Sequence, residues 1–184
     1  MRRRLFVAVD VDDAARAACA GVAERLRAKG FDAKWVDPRN YHLTVAFLGG
    51  VDEERVSEVV SALEQVAPRI GGFTLPLDAV GAYPNERKAR VAWVGPSAEV
   101  GAFGTLCGAV RSALVAAGFS FDRDADPHVT LARASGRYAL PPVPPPVTAP
   151  VAVDALTLYQ SFTEPSGARY VPLQRFPLGC APGL

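Results

Sequence analysis

His42-Leu43-Thr44-Val45 and His128-Val129-Thr130-Leu131 contain the only two histidines of the chain, and both open the same four-residue pattern. Thr fills 7 of 184 positions. Composition alone would put Thr two residues after both histidines about once in 700 such chains. Side chains two apart on a strand project from one face. His42 and Thr44 therefore share a face, with Leu43, Val45 and Phe47 on the other. His128 and Thr130 likewise oppose Val129 and Leu131. The apolar set suits a core, and the imidazole–hydroxyl set suits a cleft. One such His is more often structural; two in matched settings point to catalysis.

Working outward, each half of the chain holds strands, a helix, and a short apolar strand carrying one histidine. Leu5 to Val11 reads as a buried strand: short, apolar and β-branched. Asp12 and Asp13 offer an N-cap to a helix whose apolar stripe is Ala15, Cys19, Val22 and Leu26, stopped by Gly30. Tyr41 to Leu48 is a strand closed by Gly49-Gly50, and a second helix starts near Asp52 and ends by Pro68. Phe73 to Leu77 and Val91 to Trp93 read as strands flanking a charged turn, Asn85 to Lys88. Val100, Phe103, Cys107, Val110 and Leu114 mark a third helix, ending at Gly118. A strand around His128 to Ala132 follows. Six prolines in residues 141–150 exclude helix and central strand there and predict an extended connecting loop. Val151 to Tyr159 and Tyr170 to Phe176 supply the last strands. This order predicts an α+β fold: a bilobal duplicated unit of two antiparallel sheets, helices outside, over residues 1–184.

Composition excludes several function classes. With 20 Lys+Arg against 19 Asp+Glu, no basic field spreads over the surface, so any nucleic-acid contact must be local. Of the 20 cations 17 are Arg, an excess that reads first as genomic base composition, although single arginines also suit bidentate phosphate contacts. Three cysteines without C-x-x-C spacing and two histidines give neither a disulfide framework nor a protein metal cage. No apolar run approaches the roughly 20 residues of a spanning helix. Met1-Arg2-Arg3-Arg4 has the charge of a signal peptide without its apolar body. A cytoplasmic monomer without metal, cofactor, membrane or obligate protein partner is the expectation.

Two His and two Thr suit the hydrolysis of a phosphodiester. A base must activate water on one side of phosphorus and an acid must protonate the leaving oxygen on the other. Imidazole fills both roles near neutrality, its unperturbed pKa being about 6.5. Thr hydroxyls can donate to the non-bridging oxygens, where charge concentrates. Residue chemistry alone leaves the order of acid and base open.

The paired H-[LV]-T-[VL] motif resembles the signature of the 2H phosphoesterase superfamily. The resemblance runs along nearly the whole chain: Arg4 to Asp10, Asn40 to Gly49, Arg90 to Gly95, Pro127 to Arg133, Leu158 to Ser161 and Tyr170 to Leu178. These segments are similar to bacterial and archaeal RNA 2′,3′-cyclic phosphodiesterases, also called 2′-5′ RNA ligases. The resemblance implies two lobes that each supply one H-x-T-x strand to a central cleft. It implies His42 as proton donor, His128 as proton acceptor, and Thr44 and Thr130 on the phosphate. The substrates it implies are RNA ends or cyclic nucleotides carrying 2′,3′-cyclic phosphates, opened to 2′-phosphates, with reversible 2′-5′ ligation by the same acid and base. Two other readings stand beside it. One keeps the chemistry but takes ADP-ribose 1″,2″-cyclic phosphate or a 2′-5′ oligonucleotide; the other is a non-catalytic nucleotide- or RNA-binding module.

Arg133 is a further candidate, because the resembling motif often ends H-x-T-L-A-R. Strict alternation sets it on the face opposite His128, so it reaches phosphate only if the strand bends; otherwise it is a strand-end ion pair. Tyr41, Phe121 and Tyr159 either stack on a base or fill the core. Arg87 and Lys88 read as a solvated turn.

Overall fold

The structure, a computed structural model, describes residues 1–121, 125–165 and 167–180. In chain order the elements are β1 (Arg2–Asp10), α1 (Asp13–Ala28), β2 (Lys34–Trp35), β3 (His42–Asp52), α2 (Val56–Val66), β4 (Phe73–Leu75) and β5 (Ala79–Tyr83). There follow β6 (Ala89–Gly95), α3 (Gly101–Ala116), β7 (Val129–Tyr138), β8 (Val151–Val153), β9 (Ala155–Glu164) and β10 (Gly167–Pro177).

Eight strands form one antiparallel sheet in the order β10-β9-β1-β3-β7-β6-β5, with β2 beside β7; β4 and β8 form a small second sheet. The large sheet has two halves. β10, β9, β1 and β3 pair over long registers, as do β7, β6 and β5, but the halves meet at one residue pair, Leu43 with Val129. These halves are the two lobes.

The helices are exchanged between them. α1 follows β1 of the first lobe but packs on β7 of the second, and α3 follows β6 of the second but packs on β3 of the first. One apolar core therefore runs through both lobes, from Leu5, Val7 and Val9 of β1 to Val129 and Leu131 of β7. The stripe of α1 is buried as its spacing requires. The Asp12 carboxylate accepts from the Ala15 amide, and Gly30 leaves the helix at φ 81°. Burial pushes the Cys19 thiol up to about 12.

Four segments differ from the sequence expectation. β3 does not stop at Gly49-Gly50 but continues to Asp52 against β1. Gly49 takes φ 68° beside an irregularity at Leu48, a conformation open to glycine that lets pairing resume past the kink. α2 accordingly starts at Val56, after a 3₁₀ turn. The strand that pairs with β6 across the charged turn is β5, whereas β4 goes to β8 in the small sheet. β5 escaped recognition because Gly81 weakens its strand signal. That glycine is required, since a Cβ there would lie 2.3 Å from the Trp93 ring. The expected strand Val151 to Tyr159 is broken at Asp154, where the chain leaves the small sheet for the large one. The segment 141–150 is without helix or strand. Lys29, the C-cap of α1, and Arg25 within it donate to the Pro142 and Pro144 carbonyls and hold it down.

Candidate active site

The joint between the lobes builds the site. Leu43 faces Val129 in an antiparallel register. One step either way along that register brings His42 level with Thr130 and Thr44 level with His128. The four side chains line one cleft of roughly 1050 Å³, walled by both lobes.

Both imidazoles are held alike. His42 Nδ1 lies 2.7 Å from the Asn40 carbonyl oxygen, and His128 Nδ1 lies 2.9 Å from that of Asp126. A carbonyl only accepts, so Nδ1 of each ring carries the proton and donates it. Each neutral ring thus presents a bare Nε2. Thr44 Oγ1, 3.1 Å from His42 Nε2, donates to it. Burial pushes both histidines below the ordinary imidazole value. For His42 the bond to Asn40 and the Asp10 charge pull back up, while the charges of His128 and Arg133 push further down. For His128 the Asp126 carbonyl and carboxylate oppose the burial, and Arg133 reinforces it.

Rings fix the imidazoles from behind. Phe6 and Tyr170 sit 4.9 and 5.3 Å from the His42 ring, the latter edge-on. Tyr83 stands edge-on to His128 at 5.1 Å. Asp10, the cross-strand partner of His42, accepts hydrogen bonds from Thr157 and Tyr159. Burial, then the bond to Asp10, raises the Tyr159 phenol above its ordinary value.

Two β-bulges correct the expected alternation. Val7 pairs with Ala46 but Ala8 with Thr44, leaving Val45 as an extra residue in β3. Trp93 pairs with Thr130 but Ala92 with Ala132, leaving Leu131 extra in β7. Each bulge reverses the parity beyond it. Phe47 consequently leaves the core face, stacks on Phe6 and lines the cleft half-exposed. Arg133 joins the face of His128 and Thr130 and also lines the cleft. No ion pair or hydrogen bond engages Arg133 among the described residues.

The cleft carries Phe47 and Tyr170 on the first-lobe wall, Tyr83, Arg90 and Arg133 on the second, and Arg111 on α3. Of the aromatic candidates, Phe121 lines the cleft, Tyr41 is buried in the core, and Tyr159 stacks on Phe6 at 5.2 Å. Tyr83, Tyr170, Phe6 and Arg90 were not singled out as site residues by sequence. Their recruitment depends on strand order, although parity on β1 already puts Phe6 with Ala8 and Asp10. Arg87 and Lys88 sit in an exposed turn whose amides donate to Asn85. No group of three His, Cys, Asp or Glu able to hold a metal occurs among the described residues. No helix among them is long and apolar enough to cross a membrane.

The chain is similar to known proteins along most of its length. An RNA 2′,3′-cyclic phosphodiesterase of Escherichia coli is 35% identical, over 96% of this chain and 97% of that one. One of Thermotoga maritima is 31% identical over 91% of each. The chain belongs to the LigT-like phosphoesterase family. The family's sequence pattern matches residues 9–93, which include the first motif. The crystal structure of Escherichia coli LigT complexed with 3′-AMP superposes with a TM-score of 0.78 at 31% identity, covering 97% of this chain and 99% of that one. A Thermus thermophilus structure reaches 0.79 at 31% identity over 98% and 99%. The α+β architecture shared with these structures is the one predicted from the order of strands and helices.

Proposed function

We propose that this LigT-like phosphoesterase opens 2′,3′-cyclic phosphates at RNA ends or on nucleotides to 2′-phosphates, without a metal. The observation that carries this reading is the pair of imidazoles on one cleft, each with Nδ1 tied to a carbonyl and Nε2 bare. His128 Nε2 takes a proton from water as the water oxygen bonds to phosphorus. His42, protonated at Nε2, gives its proton to O3′ as the P–O3′ bond breaks. The products are a 2′-phosphate and a 3′-hydroxyl, with one proton moved from His42 to the product and one from water to His128. Exchange with solvent resets the pair.

Thr44 and Thr130 donate to the non-bridging oxygens, and Arg133 supplies the positive charge that the pentacoordinate transition state needs. Protonated His42 keeps its proton in place of the bond from Thr44, so binding an anion readies the acid. Replacing water by a 5′-hydroxyl gives a 2′-5′ linkage by the same two transfers. Hydrolysis dominates because water is abundant. Since both motifs line one cleft and the helices are exchanged, we take residues 1–184 as one unit, acting as a cytoplasmic monomer.

The test is turnover of 2′,3′-cyclic AMP with and without chelator, with the product isomer assigned by phosphorus NMR. A 2′-phosphate formed equally in both is expected. A chelator-abolished rate, or a 3′-phosphate product, refutes the mechanism.

A further inference from the structure

Arg90 is an exposed residue of β6 that lines the same cleft, next to Val91, the cross-strand partner of Arg133. Among the described residues no ion pair or hydrogen bond engages it. Six surface arginines away from the cleft, Arg3, Arg27, Arg39, Arg55, Arg169 and Arg175, each pair with a carboxylate. A guanidinium left without a carboxylate on a cleft wall is suited to an anionic ligand, which it grips through its planar fork of donors.

Its position selects the anion. Trp93 is level with Thr130, and Val91 with Arg133. Those two levels lie two residues apart on β6, about 7 Å along the strand. Arg133 lines the cleft with both histidines, and its charge bears on both imidazoles, so the phosphate they act on is the one it neutralises. Arg90 follows Val91 in the direction away from Trp93, one step further along the cleft. Arg90 is thus three residues along β6 from the level of Thr130, about 10 Å, and its side chain can span from there to the next phosphate of an extended chain. At a 2′,3′-cyclic end both ribose hydroxyls are consumed, so the chain leaves only through O5′. A second phosphate reaching Arg90 can only be the one on O5′ of the terminal nucleotide.

We propose that Arg90 forms a second phosphate subsite that binds the 5′-phosphate, or 5′-phosphodiester, of the nucleotide bearing the cyclic phosphate. The preferred substrate class is then an oligonucleotide end or a 5′-phosphorylated nucleotide, in preference to a nucleoside cyclic phosphate. The inference rests on the phosphodiesterase reading, so its test has an arm that needs no turnover.

Binding of adenosine 3′-monophosphate and of adenosine 3′,5′-bisphosphate is measured by calorimetry to wild type and to Arg90→Ala. The 5′-phosphate should tighten binding about tenfold in wild type, as one charged contact at an exposed site does, and add nothing in the variant. Arg90→Lys should retain part of the gain. A 5′-phosphate that adds nothing to wild type, or as much to Arg90→Ala, overturns the subsite. In the kinetic arm, kcat/KM is compared for adenosine 2′,3′-cyclic phosphate and for the dinucleotide ApA ending in a 2′,3′-cyclic phosphate. The ratio of dinucleotide to mononucleotide should fall about tenfold in Arg90→Ala. Equal loss on both substrates would place Arg90 at the reacting phosphate and also overturn the proposal. Wild type inert towards both substrates would refute the phosphodiesterase reading, while the binding arm still decides the subsite.

Discussion

Phe47 and Arg133 occupy the same place in the two lobes. Each lies five residues after its histidine, and each is turned into the cleft by a bulge three residues after that histidine. The equivalence is geometric, and the chemistry differs: a ring on one wall and a guanidinium on the other. A nucleotide has the matching asymmetry, with a base to stack and a phosphate to neutralise.

Arg133→Ala should therefore lower kcat/KM about 30-fold or more, as expected for loss of a charged contact made to the reacting phosphate. Phe47→Ala should act mainly on KM, about fivefold, as loss of a half-exposed stacking surface. Steady-state kinetics on a cyclic nucleotide reads both. A kcat effect of Phe47→Ala larger than that of Arg133→Ala would contradict this division of the walls.

His42→Ala and His128→Ala should each cost about 10²–10⁴-fold in kcat. The double variant should lose little beyond the worse single one, because acid and base act as a unit. Thr44→Val and Thr130→Val should be milder, about 10–100-fold each, as loss of one hydrogen bond to a charged phosphate oxygen. Independent, multiplying losses in the histidine double variant would show that the two rings do not serve one step.

Both imidazoles are held below their ordinary value, chiefly by burial. In the bell-shaped kcat/KM profile the acidic limb marks deprotonation of the base, and the alkaline limb marks loss of the proton from the acid. Depression of both moves both limbs down, so the optimum should fall below about 6.5. Substrate brings negative charge that favours the imidazolium, so the kcat profile should lie at higher pH than the kcat/KM profile. The same depression makes the unfolded chain bind more protons as pH falls through the unfolded value, so stability should decrease on that acidic side. An optimum above pH 7.5 in kcat/KM would be incompatible with these environments.

Exchange of α1 and α3 between lobes, over one continuous core, predicts a single cooperative unfolding transition. Leu43, fully buried at the joint, is the position at which to perturb it. Leu43→Ala should destabilise the whole protein by about 3 kcal/mol and lower Tm by about 6–12 °C, with the transition still single. Two resolved transitions in calorimetry would mean that the lobes fold separately.

What the sequence determined by itself was local. The two H-x-T-x stretches announced the chemistry, because period-two geometry brings His and Thr to one face whatever the strand pairs with. The stripe of α1, with its Asp12 cap and Gly30 stop, was legible for the same reason: a helix period and its ends are written within a few residues. The bulges at Val45 and Leu131 were not, because an extra residue is defined only against the partner strands β1 and β6. Without them Arg133 and Phe47 stand on the wrong face. Nor could local pattern recruit Tyr170 to His42 or Tyr83 to His128. Those contacts follow from strand order, which also ties Asn40 to the Ala168 carbonyl across 128 residues of chain. β5 stayed hidden because Gly81, required by the Trp93 ring, erased its strand signature. Local periodicity thus decided which groups could do the chemistry. Only the packing of distant strands decided which of them meet, because register and face are properties of pairs of segments and not of either one alone.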